Sequence, residues 1–77
     1  MRKKFKLVSR ANGVIYTKYS DSFAELYAYE ERFIDFCCCY LLSFTCTFYE
    51  LKYGCSDYQK LYIDGRTFNI KHHDKNV

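Results

Sequence analysis

The chain has no proline, no tryptophan, three glycines and a single methionine at position 1. Gly13, Gly54 and Gly65 lie too far apart to form a phosphate-cradling glycine loop. A serine-nucleophile motif and a spaced pair of metal-binding acids are also missing, so no catalytic machinery is visible and the expectation is a protein that is not an enzyme. Cysteine is plentiful at five residues, yet Cys37-Cys38-Cys39, Cys46 and Cys55 contain no C-x-x-C pair, which speaks against a tetrahedral zinc site. Neither a metal nor another cofactor is expected. The start Met1-Arg2-Lys3-Lys4-Phe5-Lys6 is basic, but no apolar signal region follows it. Together with the odd cysteine number this argues against a disulfide framework and for a cytoplasmic protein. The longest charge-free run, Phe36 to Tyr49, is fourteen residues, short of the roughly 20 that span a bilayer. Ser43, Thr45 and Thr47 alternate through it, so no membrane span is expected.

The 77 residues are 49% hydrophobic and 21% aromatic, too apolar for a disordered tail and too few to divide between two cores. One small folded domain spanning 1–77 is expected. The net charge of +3 does not by itself demand a nucleic-acid partner. Its distribution is uneven: residues 1–20 hold Arg2, Lys3, Lys4, Lys6, Arg10 and Lys18 without an acid, whereas 21–35 hold Asp21, Glu25, Glu30, Glu31 and Asp35 against Arg32. Such asymmetry serves either a partner with two differently charged surfaces or ion pairing inside the fold.

Strand-like runs at Lys4–Ser9 and Val14–Tyr19 flank Asn12-Gly13, a dipeptide suited to a type I′ hairpin turn. A strict two-residue turn sets Leu7 opposite Lys18; a bulge would move Phe5 and Leu7 toward Ile15, Thr17 and Tyr19. Ser22 with Glu25 three residues later fits a capping box and predicts a helix start. At 100° per residue Phe23, Leu26, Tyr27, Tyr29, Phe33, Ile34, Phe36 and Cys37 share one broad arc. Glu30 intrudes on that arc, which predicts a rim position or a basic partner such as Lys18 or Arg66. Phe36–Leu41 satisfies the end of the helix or the start of a strand equally well. From Leu42 the period is two, with Leu42, Phe44, Cys46 and Phe48 on one face. Tyr58–Ile63, Asp64-Gly65 and Arg66–Lys71 read as a second hairpin, with Leu61 facing Phe68 and Gln59 facing Ile70. The expected fold is therefore α+β, ββαβββ, one helix packed on an antiparallel sheet against Phe5, Leu7, Phe44, Phe48, Leu61, Phe68 and Ile70.

The thiols are mostly expected in buried, small apolar roles, with only Cys55 placed in an exposed loop. His72 and His73 belong to a polar tail. The second hairpin would present Tyr58, Lys60 and Tyr62 opposite Lys71, an aromatic and polar face of the kind that anchors interfaces. Two binding roles follow. A protein-binding module would use Glu25, Glu31 and Asp35 to occupy basic sites on a larger partner, anchored by Tyr58, Lys60 and Tyr62. Alternatively Arg2, Lys3, Lys4, Lys6, Tyr58, Lys60, Tyr62 and Lys71 would bind RNA or single-stranded DNA, cations on phosphates and rings on bases. Open sheet edges also allow a homodimer.

The Asn12-Gly13 turn, the Ser22-to-Glu25 helix start and the Asp64-Gly65 hairpin together give a layout that resembles small phage-encoded inhibitors of host defence, including anti-CRISPR proteins. The resemblance is one of layout over most of the chain. It implies a target such as a CRISPR effector, a ribonucleoprotein in the host cytoplasm, blocked by steric and electrostatic occlusion.

Overall fold

Asn12 and Gly13 both adopt left-handed backbone angles, with φ of 53° and 79°. A type I′ turn needs positive φ at both central positions, and the twist it imposes matches that of the flanking strands. In the computed structural model, which describes residues 2–61 and 66–68, β1 (Phe5–Ala11) and β2 (Val14–Ser20) close on this turn. Ala11 lies opposite Val14 and Leu7 opposite Lys18, so the strict register is adopted and no bulge intervenes.

Helix α1 (Phe23–Cys39) begins where Ser22, in extended conformation, accepts a hydrogen bond from the Glu25 N–H. The return arm differs from a simple capping box. Ser22 N–H donates to the Ser20 hydroxyl at 3.0 Å, and that hydroxyl donates to the Glu25 carboxylate. Ser20 thus relays the contact that Glu25 would otherwise make directly. At the far end Leu41 N–H donates to the Cys38 carbonyl and Leu42 N–H to the Cys37 carbonyl, the paired bonds of a Schellman motif. Leu41 takes the left-handed position, with φ 54°. Phe36–Cys39 is therefore helix, and the chain turns out of it through Tyr40 and Leu41.

Strand β3 (Phe44–Glu50) pairs antiparallel with β1, placing Phe48 opposite Leu7 and Phe44 opposite Ala11. Both β4 (Gln59–Lys60) and β5 (Thr67–Phe68) then pair with the free edge of β3. The sheet order is β2-β1-β3-β4, with β5 on the same edge as β4. This corrects the expected second hairpin. Since both segments run antiparallel to β3, they point the same way and lie end to end along it. Tyr49 faces Lys60 and Thr45 faces Thr67, so four steps along β3 are matched by seven along its neighbour. The backbone of β3 presented a row of unpaired groups, and Leu61 N–H and Arg66 C=O bond to it at 2.9 and 2.7 Å. The Asp64-Gly65 turn and Ile70 lie outside the described residues.

The result is an α+β fold with elements in ββαβββ order. Leu7, Ala11, Phe44, Cys46 and Phe48 from the sheet meet Leu26 and Cys37 from the helix in the core, with Phe5, Phe23, Phe33, Ile34, Leu42 and Leu61 packed around them. The expected helical arc is wider than the buried one. Tyr27, Tyr29 and Phe36 remain 39–52% exposed because the sheet offers cover only along the arc's centre. Of the two expectations for Glu30, a rim position or a basic partner, the second holds: it is fully buried and meets Arg66. No described helix is long and apolar enough to cross a membrane.

Candidate functional site

Alternation along the strands divides the sheet into two faces. Phe5, Leu7, Ser9 and Ala11 of β1, with Phe44, Cys46 and Phe48 of β3, point toward α1. Their neighbours point the other way, where no described element covers them: Lys6, Val8 and Arg10 from β1, Ile15, Thr17 and Tyr19 from β2, Thr45, Thr47 and Tyr49 from β3. Register then assembles cross-strand rows. Tyr19, Lys6, Tyr49 and Lys60 form one row, and Ile15, Arg10, Thr45 and Thr67 another.

The first row is locked by aromatic contacts. The Lys6 ammonium lies 4.7 Å from the Tyr49 ring centre and 4.9 Å from that of Tyr58, held between two π faces. Tyr58 is fixed twice more: its hydroxyl donates to the Lys3 carbonyl at 2.6 Å, and the Arg2 guanidinium sits 5.0 Å over its ring. Tyr19 lies beside it, ring centres 5.8 Å apart. Arg2, Lys3, Tyr19 and Tyr58 enclose an open cleft of about 360 Å³. A second open cleft of about 410 Å³ lies at the other end of the face, between Arg10, Ile15, the Asn12-Gly13 turn and Thr45. Lys6 and Arg10 are four residues apart on one strand, about 13 Å at strand rise.

Of the expected nucleic-acid contacts, Arg2, Lys3, Lys6, Tyr58 and Lys60 come together on this face. Lys4 does not: its ammonium turns to Glu50 at 3.9 Å and to the Phe5 ring. Tyr62 and Lys71 lie outside the described residues. Tyr19, Tyr49, Arg10 and Ile15 were not expected there. The strict Asn12-Gly13 register, which sets Tyr19 against Lys6, and the polar side of the Leu42–Tyr49 alternation were the signals that carried them.

Among the described residues the face carries few acids. Asp57 stands 4.0 Å from Arg2 and Asp21 3.7 Å from Lys3, both exposed pairs at one end. Lys6, Arg10 and Lys60 have no ion pair among the described residues.

The acidic candidates are dispersed. Glu25 and Glu31, six residues apart, lie about 120° apart round the helix. Glu25 accepts from Ser20, Glu31 pairs with Arg66 at 2.8 Å, and exposed Asp35 shares the flank of Glu31 one turn on.

The thiols offer little chemistry. Cys37 and Cys46 are buried, whereas Cys38, Cys39 and Cys55 are exposed. Helical spacing turns Cys38 and Cys39 away from the core that Cys37 enters. Burial, against a hydrogen bond from Ser9, pushes the Cys46 thiol up to about 11, and burial also raises Cys37. Both stay protonated at neutral pH and are poor nucleophiles. Among the described residues no cluster of three His, Cys, Asp or Glu side chains is placed to hold a metal ion. Comparison of the chain with protein families, with characterised proteins and with solved structures finds no match.

Proposed function

We propose that the helix-free sheet face binds single-stranded nucleic acid, RNA or DNA, without sequence readout. The observation that carries this reading is the row Tyr19–Lys6–Tyr49–Lys60 with Tyr58 and Arg2 against it, cations and π faces interleaved on a sheet face that no described element covers. Phosphates would be neutralised by Lys6, Arg10 and Lys60, and by Arg2 and Lys3 once they release their exposed acids. Bases would stack on Tyr19 and Tyr49, and on Tyr58 once Arg2 leaves its ring for a phosphate. The sheet holds these groups in a fixed plane, so little side-chain entropy is lost on binding. Lys6 and Arg10, about 13 Å apart, suit phosphates about two nucleotides apart on an extended strand. A duplex keeps its bases inside the stack and would gain only the phosphate contacts.

The test is fluorescence anisotropy with a labelled 20-nucleotide oligo-dT or oligo-U at low salt. Tyr58→Ala is expected to weaken binding about 5- to 150-fold, the range for removing one stacking platform, about 1–3 kcal/mol. Lys6→Glu with Arg10→Glu should abolish it. Equal affinity for a duplex of the same length, or indifference to these variants, would remove the stacking face from the account.

A second reading, a protein-binding module that occludes a larger complex such as a CRISPR effector, is favoured by a different feature. At the end of α1, Phe36, Tyr40 and Leu41 stand 52%, 64% and 75% exposed, with the Phe36 and Tyr40 rings 4.9 Å apart. A protruding apolar knob of this kind fills a pocket on a partner protein. Nuclease-resistant capture of one large protein, lost on Leu41→Ser with Tyr40→Ser, would support it.

A further inference from the structure

Strand β2 is a seven-residue edge strand, and its outer side has no partner among the described residues. Edge strands are usually blunted by a bulge, a proline, an outward lysine or a covering loop. β2 has no bulge or proline, and its one lysine is turned away: Lys18 Nζ sits 5.2 Å over the Tyr29 ring of α1. The two-residue turn makes Ala11–Val14 a hydrogen-bonded pair, so Val14, Tyr16, Lys18 and Ser20 direct their backbone groups to β1. Ile15, Thr17 and Tyr19 direct theirs outward. Beside this edge, on the helix side, Tyr16, Tyr29, Arg32, Phe33 and Phe36 line an apolar groove of about 300 Å³.

We propose that this edge pairs with the β2 edge of a second copy of the chain, antiparallel about Thr17. The sequence of β2 is self-complementary in that register. Thr17 faces Thr17 of the second copy on the two-fold axis, Ile15 faces its Tyr19, and Tyr16 faces its Lys18. Each is a favourable cross-strand pair, and the cation–π pairing of Lys18 extends to a second ring. The register one step further along would oppose Lys18 to Lys18, a like-charge pair that disfavours the slip. A foreign strand has no such built-in match. Pairing about a two-fold axis also sets the two helices side by side on one face of a continuous sheet. The exposed flank Tyr29, Arg32 and Phe36 of each then turns toward the other and closes the groove. An isologous contact of this kind stops at two copies.

The inference does not rest on nucleic-acid binding, and its readout is mass alone. Sedimentation equilibrium of the full chain between about 1 and 100 µM is expected to show twice the 9.3 kDa chain mass at the upper end. Thr17→Pro removes an N–H that only the second copy uses, and Thr17→Lys sets two ammonium groups against each other on the axis. Either is expected to raise the dimer dissociation constant at least tenfold. Should the proline variant lose its circular-dichroism signature, the lysine variant, whose side chain lies on the exposed face, decides. A wild-type chain that stays monomeric throughout, or a dimer indifferent to the folded Thr17 variants, would overturn the proposal.

Discussion

Glu30 has no exposure to solvent, and a carboxylate so placed is tolerable only with a counter-charge at hand. Arg66 supplies it, with Nη2 at 2.7 Å and Nε at 3.3 Å on the same carboxylate oxygen, while Nη2 also reaches Glu31. Those hydrogen bonds raise the already high pKa of the guanidinium, so it stays charged throughout the working pH range. Its central carbon also lies 5.5 Å from the centre of the Tyr27 ring. One side chain therefore ties β5's approach to the middle of α1. Arg66→Ala leaves the buried charge without a partner, and about 3 kcal/mol of stability should be lost. That is the low end for such a change, because Arg66 is 43% exposed and water can follow into the gap. Glu30→Leu with Arg66→Ala removes charge and partner together and should be distinctly more stable than Arg66→Ala alone. Urea unfolding followed by circular dichroism compares the two; equal losses would mean that the ion pair matters only for its packing.

The ends of α1 show what a local signal does and does not fix. Leu41 occupies the left-handed position of the C-terminal motif, where a side chain costs about 1–2 kcal/mol and glycine costs nothing. Its side chain is 75% exposed and gives up little on removal. Leu41→Gly is therefore expected to raise stability by about 0.5–1 kcal/mol after the extra freedom of the unfolded chain is deducted. A loss of stability instead would show that Leu41 packs on a neighbour. The Asn12-Gly13 turn, the Ser22 cap and the alternation through Phe44–Phe48 were legible because each is a short-range pattern with one low-energy outcome. Leu41 as a helix stop was not, since a left-handed backbone favours glycine and cannot be read from a leucine. The second hairpin failed for a related reason. Asp64-Gly65 favours local pairing, but the unfilled edge of β3 competes for the same backbone groups, and only the assembled sheet decides between them. At the site, Lys6 was visible in the basic N-terminal run, while Tyr58 and Lys60 were reached through the register of a hairpin that the β3 edge replaces. Tyr49 joined them only through the β1–β3 pairing, a contact between segments about forty residues apart.

Across the whole molecule, the uneven charge of the sequence becomes a difference between layers. Five cations, Arg2, Lys3, Lys6, Arg10 and Lys60, gather on or beside the helix-free face, while Glu25, Glu31 and Asp35 ride on the helix behind the sheet. Helix and sheet layers stand about 10 Å apart, close to the screening length of about 8 Å at physiological ionic strength. The acidic layer is thus felt at the binding face in dilute buffer and fades in salt. If the face neutralises one phosphate per cation, log K for a single strand should fall with log salt at a slope of about −0.7 per contact, near −3.5 for all five. Arg2 and Lys3 share their charge with Asp57 and Asp21, so the slope should lie between that value and about −2, the share of Lys6, Arg10 and Lys60. Lys6→Gln should flatten it by about 0.7, whereas Asp35→Asn on the other layer should speed association at low salt and move the slope by much less than Lys6→Gln. A slope near zero, or one moved as much by Asp35 as by Lys6, would mean that the charge separation between the layers plays no part in recognition.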